Sequence, residues 1–268
     1  MVAELRPELH RYCARLTGSI IDGEDVVQDA LAKAFYAMSM QSELPPLRPW
    51  LFKIAHNTAI DRLRSHGHKL TEPRAEMEDV MPIDDRPDPI AVRAALSRFL
   101  ALTVTQRAAV ILKDVLGHSL EDTAQTMDTT VPAVKAALVR GRAALAAAEE
   151  APVAADASAR EQLGAYAKLF NARDWDGVRA MIGEDCRLDL VAKSQRRGKA
   201  VGMYFGNYEK QDVRLEIARI DGRDVLAAYV AGAASPAYYI LLELSEGKVQ
   251  VIRDFRYVPY IAAEASLG

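Results

Sequence analysis

The segment from residue 119 to 145, SLEDTAQTMDTTVPAVKAALVRGRAAL, limits the fold of this chain more than any other. Ser119 is suited to cap a short helix, and Pro132 is suited to the first turn of a second helix. Between them, Asp128-Thr129-Thr130 predicts a turn. Asp128 stands where such motifs usually carry glycine, and aspartate tolerates the left-handed backbone better than most residues. Because the small Ala124 also lets two helices cross closely, the segment predicts a helix-turn-helix.

The second of these helices has two different faces. Its predicted inner face consists of Val134, Ala137, Leu138 and Gly141. Its outer face presents Lys135, Ala136, Val139, Arg140 and Arg142, and residues 131–148 contain three basic side chains and no acid. Cations that reach phosphates and small side chains near base edges are typical of a recognition helix in a DNA major groove. The alternative is a helical hairpin with a solvated basic face.

The first 70 residues also predict helices. Apolar residues recur at helical spacing between Asp22 and Met38, and Asp22, Glu24 and Asp25 lie at the start, where the helix dipole favours negative charge. Pro49 is suited to the first turn of a second helix, whose buried side we expect to include Trp50. Basic residues follow near its end.

Charge and composition divide the chain into domains. The net charge of −3 hides a segment, residues 71–90, with two basic and seven acidic residues and four prolines, which predicts a linker. A second helical block follows, with a net charge of +3 over residues 91–148. The predicted divisions are residues 1–70 and 91–148 as two all-α domains, 71–90 and 149–158 as linkers, and 159–268 as an α+β domain.

The last domain changes pattern along its length. Helical periodicity continues to about residue 182, and then short apolar runs alternate with turns at Asp221-Gly222 and Glu246-Gly247. This order predicts helices followed by a curved antiparallel sheet. The uncharged stretch 225–242 has glycine and proline in its middle, so we expect two strands there and no membrane span.

Composition excludes several classes of protein. Two cysteines, Cys13 and Cys186, rule out a disulfide framework and a Cys-rich zinc site. No metal-ligand cluster and no P-loop motif occur, so no cofactor is predicted. Since the N-terminus mixes charged and apolar residues, a secretory signal is not expected, and we expect a cytoplasmic protein without a membrane partner.

Two segments together resemble the extracytoplasmic-function group of bacterial RNA polymerase sigma factors. The first, DGEDVVQDALAKAFYAM followed by RPWLFKIAHNTAIDRLRS, resembles region 2 of that group. The second, LTVTQRAAVILKDVLGHSLEDTAQTMDTTVPAVKAALVRGRAAL, resembles region 4. The resemblance covers about residues 1–148 and implies two partners, the clamp region of the largest subunit of core RNA polymerase and promoter DNA.

The resemblance also implies roles for individual residues. For the polymerase contact it implies Asp25, Gln28 and Asp29. For the −10 element it implies Trp50, Lys53, Asn57, Arg62 and Arg64. For the −35 element it implies Pro132, Lys135, Ala136, Val139, Arg140 and Arg142. Trp50 also suits a core position, and Asp25 and Asp29 also suit simple helix-dipole partners.

The last domain resembles the SnoaL-like branch of the NTF2-like fold, a sheet wrapped around helices with a pocket inside. Its opening, EQLGAYAKLFNARDWDGVRAMIGEDCRLDL, and its closing, GKVQVIRDFRYVPY, carry this resemblance. Candidate pocket residues are Trp175, Asp189, Tyr204, Tyr239 and Asp254, and a small-molecule ligand is a candidate partner. The fold also includes isomerases and cyclases, but this domain has no histidine, and we expect no enzymatic activity.

Sigma factors fused to such a domain resemble groups in which the extra domain acts as the regulator. A Gly-rich loop of one such branch is replaced here by KSQRRGKAVGMYFGNY, residues 193–208, with Arg196-Arg197 in place of the glycines. The sequence therefore predicts a sigma factor modulated by its own C-terminal domain. The alternative is a helix-turn-helix regulator, not a sigma subunit, with a ligand-sensing or enzymatic NTF2-like domain.

Overall fold

The computed structural model describes residues 2–40, 45–65, 86–149 and 157–265. The chain forms two compact units, Met1–Ala151 and Pro152–Leu267. The linker predicted at 71–90 lies outside the described residues up to position 85, as does most of the connector predicted at 149–158.

The first unit is entirely helical among its described residues. Its elements are α1 (Val2–Thr17), α2 (Ile20–Met40), α3 (Leu47–Ser65), α4 (Pro89–Arg93), α5 (Leu96–Phe99), α6 (Val104–Val110), a π-helical turn (Ile111–Val115), α7 (Leu120–Met127) and α8 (Val131–Ala147).

The predicted helix-turn-helix is confirmed, with α7 and α8 as its two helices. Ser119 Oγ accepts a hydrogen bond from the backbone N–H of Asp122 at 2.9 Å, and Thr130 caps α8 in the same way. Asp128 ends α7 in the left-handed conformation, with φ 54° and ψ 48°. The predicted inner face of α8 is buried in full.

The two helical blocks of this unit share one hydrophobic core. Leu51 and Phe52 of α3 belong to the same cluster of buried side chains as Leu112, Val134 and Leu138 of the second block. Within the first block, α1 and α2 cross so closely that a Cβ at Gly23 would lie 2.5 Å from the backbone of Ala14. The core therefore extends across the boundary between the two predicted domains.

The second unit combines helices with a sheet, as predicted, and the sheet has six strands. Its elements are α9 (Ala157–Asn171), α10 (Trp175–Ala180), β1 (Ile182–Leu190), β2 (Ser194–Arg197), a 3₁₀ turn (Gly198–Val201), α11 (Gly202–Tyr208), β3 (Val213–Ile220), β4 (Arg223–Val230), β5 (Tyr238–Ser245), β6 (Lys248–Asp254) and α12 (Tyr260–Ala265). The strand order is β2-β1-β6-β5-β4-β3. One face of the sheet forms a core with α9 and α11.

The prediction of a purely antiparallel sheet is wrong at one pair of strands. β1 and β6 run parallel, with Leu188 opposite Ile252, while the other neighbours are antiparallel. Since α11 and β3 to β5 separate these two strands in sequence, local turn signals could not show their pairing. The predicted turns at Asp221-Gly222 and Glu246-Gly247 are confirmed, with positive φ at all four residues.

Among the described residues, no helix is long and apolar enough to span a bilayer. The uncharged stretch 225–242 forms parts of β4 and β5, as predicted, because the turn between them contains Gly232 at φ 78°.

The close crossing of α1 and α2 predicts an unusual response to a helix-favouring substitution. Gly23→Ala should lower the free energy of unfolding of the first unit by about 1–3 kcal/mol, because the added methyl meets the backbone of Ala14. The measurement is a denaturant titration followed by Trp50 fluorescence in a Trp175→Phe background, since these are the two tryptophans of the chain.

The matched control is Gly206→Ala in α11, where a Cβ meets nothing within 4 Å. Followed by Trp175 in a Trp50→Phe background, it should be neutral or stabilise by up to about 1 kcal/mol through helix propensity. Equal effects of the two substitutions would contradict the close crossing of α1 and α2.

Candidate nucleic-acid interface

The outer face of α8 is an accessible basic surface. Pro132, Val139 and Arg140 are exposed, and Lys135 and Ala136 are half-buried. Neither Lys135 nor Arg140 has a hydrogen bond or ion pair with any described residue. Within the described part of the chain, neither cation is therefore occupied.

Arg142 differs from the other two cations of α8. Its Nε and Nη2 donate to the two carboxylate oxygens of Asp114 at 3.0 and 2.6 Å, and Nη2 also donates to the carbonyl of Arg86. Asp114 is buried and lies on the π-helical turn before α7. The bidentate geometry fixes Arg142 on the inside of the unit, so this residue positions α8, and the expectation that it contacts DNA is not supported by its placement.

Two further contacts fix the orientation of α8. Arg98 Nη2 donates to the carbonyl of Leu145 at 2.7 Å, near the C-terminal end of the helix. Gly141 faces α6 so closely that a Cβ there would lie 2.8 Å from a methyl group of Val110. The free cations of α8 are thus presented from a rigidly held helix.

The residues expected at the −10 element lie along α3. Lys53, Asn57 and Arg64 are spaced at about one helical turn or a multiple of it, so they share a face; Asn57 and Arg64 are exposed and Lys53 is half-buried. Trp50 is half-buried against the core of the unit, as the core alternative predicted. This face combines cations, an amide and a half-buried indole ring.

Arg62, expected at the −10 element, forms an ion pair with Asp25, one of the three residues expected to contact the polymerase. Arg62 Nη2 donates to Asp25 Oδ2 at 2.9 Å and lies 3.7 Å from Asp22 Oδ1. Gln28 is half-buried, and its Nε2 is enclosed without a hydrogen-bond partner among the described residues. Asp29 is exposed on α2. The structure therefore pairs one predicted DNA contact with one predicted polymerase contact.

The structure also shows an exposed apolar surface on α2 that sequence reasoning missed. Phe35, Tyr36 and Met40 are between 59% and 68% exposed and follow Asp29 toward the end of the helix. Such exposure of large apolar side chains is typical of protein interaction surfaces. Helical spacing places Phe35 in the apolar stripe of α2, so its exposure corrects the sequence prediction, whereas Tyr36 and Met40 lie outside that stripe.

A direct ion pair joins α3 to the helix-turn-helix. Lys53 Nζ donates to Asp128 Oδ1 at 2.9 Å. This hydrogen bond, together with the charge of Lys53, lowers the pKa of Asp128. One residue expected at the −10 element therefore contacts the turn of the motif expected at the −35 element.

A second set of contacts, centred on His118, also joins the two blocks. The ring of His118, in the loop before α7, meets Phe52 of α3 edge-on at 4.8 Å between centroids. Its Nε2 lies 3.8 Å from Glu8 Oε1 of α1, and Arg48 donates to the same carboxylate. Burial opposes ionisation of Glu8, but His118 and Arg48 prevail and lower its pKa to about 2.

Arg107 of α6 adds a buried cation at the same boundary. Its guanidinium donates to the backbone carbonyl of Leu16, near the end of α1, at 2.5 Å and to that of Leu102 at 3.1 Å. Burial lowers its pKa to about 10. A cation near the C-terminal end of a helix also interacts favourably with the helix dipole.

The residues expected to line a C-terminal pocket divide between the two faces of the sheet. Trp175 and Tyr204 pack in the core formed with the helices, and Asp254 joins them from the end of β6. Tyr239 and Asp189 alternate with core residues along β5 and β1, so they point to the opposite face, where Asp189 lies 3.7 Å from Arg253. The five residues thus do not form one site.

Asp254 is the centre of a closed polar cluster. Its carboxylate is fully buried and accepts from the hydroxyls of Tyr204 and Tyr208 at 2.8 and 3.1 Å and from Arg256 Nε at 2.7 Å. Tyr238 donates to Tyr208 at 3.2 Å. Burial, aided by the charge of Asp254, raises the pKa of both Tyr204 and Tyr208 well above the usual value. Together with the backbone N–H of Arg256, which donates to Oδ1 at 3.0 Å, these contacts give the carboxylate four donors, all from within the unit.

A separate pocket of about 250 Å³ lies between α9, the β3–β4 turn and β5. Its lining includes Leu163, Leu242 and Leu244, with Arg223 and Asp224 among its polar groups. Asp224 pairs with Arg160 at 2.6 Å. Among the described residues, no three histidine, cysteine or acidic side chains are grouped to hold a metal ion.

Comparison with known proteins matches both helical blocks to the same family. Residues 1–69 match the model of sigma-70 region 2, and residues 92–145 match that of sigma-70 region 4. The chain is 34% identical to the ECF RNA polymerase sigma factor SigM of Mycobacterium tuberculosis over 140 residues, which cover 52% of this chain and 70% of SigM. It is 30% identical to SigG of the same species over 203 residues, covering 64% of this chain and 55% of SigG.

The crystal structure of M. tuberculosis SigJ, another extracytoplasmic function sigma factor, aligns with 97% of this chain and 99% of its own, at 24% identity and a TM-score of 0.36. A putative ketosteroid isomerase from Kribbella flavida aligns with 35% of this chain and 74% of its own, at 23% identity and a TM-score of 0.30. The assignment rests on the sequence matches, which place both helical blocks in order within one family. The chain belongs to the extracytoplasmic-function RNA polymerase sigma factors, which direct transcription initiation.

Proposed function

We propose that α8 reads the −35 element of the promoter through Lys135, Arg140 and the small side chains between them. The observation that carries this proposal is the division of the cations of α8. Arg142 is bound to Asp114 inside the unit, whereas Lys135 and Arg140 have no partner among the described residues. A recognition helix needs this combination, a fixed orientation and free cations for phosphates and bases.

The −10 element binds the face of α3 that carries Lys53, Asn57 and Arg64 in this proposal. Opening a duplex requires cations that hold a strand and a surface that holds an extruded base, and the half-buried Trp50 borders this face. The surface for core polymerase is the exposed C-terminal half of α2, which is acidic and apolar where the DNA surfaces are basic. It combines the carboxylate of Asp29 with the apolar side chains of Phe35 and Tyr36, which suits the clamp region of the largest subunit.

The first unit must open to use both DNA surfaces at once. The two elements are centred ~25 base pairs apart, which corresponds to about 85 Å of duplex at about 3.4 Å per base pair. A compact domain of about 151 residues has a radius of gyration of only about 15 Å. Because α3 contacts α7 directly through Lys53 and Asp128, the arrangement in the structure is a closed state that cannot span this distance.

The second unit modulates this activity and catalyses no reaction in this proposal. The candidate acid Asp254 accepts from four donors of its own unit, and Asp189 lies on the other face of the sheet. The pocket beside α9 has room for a small molecule with an apolar body, which could act by binding the open and closed states with different affinity.

Removing either free cation of α8 should weaken promoter recognition. Lys135→Gln and Arg140→Gln should each reduce the affinity of the reconstituted holoenzyme for promoter DNA by roughly 5- to 150-fold, the range for a lost base or phosphate contact. Run-off transcription and DNA binding at fixed salt measure this effect. The control is Arg93→Gln on α4, an exposed arginine that also lacks a partner among the described residues. Equal losses in all three variants would show that net charge, and not the face of α8, determines binding.

Breaking the ion pair between α3 and the helix-turn-helix should favour the open state. Asp128→Asn keeps a residue that tolerates the left-handed backbone but removes the charge that Lys53 pairs with. Binding to core polymerase without DNA should tighten by up to about fivefold, the upper range for an exposed ion pair.

The control is Glu121→Gln, which removes an exposed charge from α7 without breaking this pair. Because DNA is absent, reduced repulsion of phosphates cannot explain a difference between the two variants. If Asp128→Asn and Glu121→Gln bind core polymerase with the same affinity, the ion pair does not hold the closed state.

A further inference from the structure

The β1–β2 hairpin carries arginines in an unfavourable arrangement. β2 is an edge strand of the described sheet, and its register places Arg197 directly opposite Arg187 of β1. Side chains opposite each other in an antiparallel pair have Cβ atoms about 5 Å apart, and like charges there are destabilising. Arg196, next along β2, points to the other face of the same edge.

These three arginines are exceptional within their unit. Residues 157–265 contain eleven arginines. Eight have a hydrogen bond, ion pair or other recorded interaction: Arg160, Arg173, Arg179, Arg214, Arg219, Arg223, Arg253 and Arg256. The remaining three, Arg187, Arg196 and Arg197, have none with the described residues, and all three lie in this one hairpin.

Arg187 differs from an ordinary surface arginine, because part of its guanidinium is enclosed by the protein. Its side chain is half-buried, and its Nε is enclosed without a hydrogen-bond partner among the described residues. An enclosed donor of a charged group is costly to leave unpaired. Two opposed guanidinium groups, one with an unsatisfied donor, fit a site that is completed by an anion.

We propose that the β1–β2 hairpin is a second DNA-binding surface, in which Arg187 and Arg197 hold backbone phosphates of the duplex. The proposal rests on the proposed function, because it assumes that this chain works on promoter DNA. It gives the C-terminal unit a direct role in promoter binding. Arg196, on the other face of the same strand, adds a cation at the edge.

The chemistry of the hairpin favours a phosphate chain over a small anion. Residues 187–199 contain five basic residues and one acid, a local charge of +4, whereas the rest of residues 151–268 carries a net charge of −4. The forked guanidinium binds phosphate oxygens in pairs, and two forks on neighbouring strands match successive phosphates of a nucleic acid. Glu184 and Asp185, which lie in β1 before Arg187, are exposed and do not pair with Arg187 or Arg197.

The test compares two double variants of the full-length chain in holoenzyme. Arg187→Gln with Arg197→Gln removes the opposed pair. Lys168→Gln with Lys210→Gln removes the same charge from exposed lysines of the same unit that also lack a partner among the described residues. Affinity for a promoter duplex is measured over a series of salt concentrations. Each lost phosphate contact lowers the slope of log affinity against log salt by about 0.9, so the arginine variant should lose about 1.8 and the lysine variant nothing.

Because Arg187 is half-buried, its replacement could disturb the fold, and a third variant that leaves Arg187 in place separates this effect from the loss of DNA contacts. Arg196→Gln with Arg197→Gln changes only the edge strand and should also lower the slope. A chain ended after Ala151, at the boundary of the first unit, should show at least the loss of the arginine variant.

Equal slopes for the arginine and lysine variants would overturn the proposal. Altered transcription with an unchanged slope would overturn it too, and would indicate an acidic protein partner for the hairpin. The proposed function has its own test in Lys135→Gln and Arg140→Gln. If those substitutions weaken promoter binding while the hairpin variants do not, only the second DNA surface fails.

Discussion

The packing of α3 against α7 is the constraint on which the rest of the first unit depends. It places a lysine of one DNA-binding face, Lys53, on the turn of the other, Asp128, and it encloses His118 between Phe52 and Glu8. Arg107 strengthens the same boundary from the second block by donating to the carbonyl of Leu16 in the first. The exposed ion pair alone contributes little, whereas the shared core and the buried polar groups give the contact its stability.

The distribution of partners among the cations gives each surface its role. Cations that orient an element are paired, as Arg142 is with Asp114 and Arg256 with Asp254. Lys135 and Arg140 on the outer face of α8 and the three arginines of the β1–β2 hairpin have no partner among the described residues, and on each of these two surfaces such cations lie close together. Lys53 belongs to both kinds of cation. It is paired in the closed state, but its partner is the exposed carboxylate of Asp128, which DNA phosphates can replace.

Much of the fold could be predicted from the sequence, because it depends on local signals. The caps at Ser119 and Thr130, the left-handed Asp128 and the turns at Asp221 and Glu246 are each determined by a few neighbouring residues. The parallel pairing of β1 with β6 and the ion pair of Arg142 with Asp114 depend on partners far away in the chain, and no periodicity shows them. The packing of the two helical blocks against each other was missed for the same reason, since each block alone has the pattern of a complete helical domain.

The candidate site was predicted in part, and the failures have a common cause. Spacing placed Lys135, Val139 and Arg140 on one face correctly, but it also placed Arg142 there, because spacing gives a direction and not a partner. In the second unit, alternation along β5 and β1 separates Tyr239 and Asp189 from Tyr204 and Asp254, which composition had grouped together.

The central claim is that the first unit is closed in the free protein and opens on the promoter. The most direct measurement is the distance between spin labels at D61C on α3 and A143C on α8, two exposed positions outside the proposed contacts. The account predicts a distance below roughly 40 Å in the free chain, as expected for one compact domain. In the complex of holoenzyme with promoter DNA, the distance should increase by tens of ångströms, toward the separation of the two elements. An unchanged distance in that complex, with transcription intact, would contradict the account.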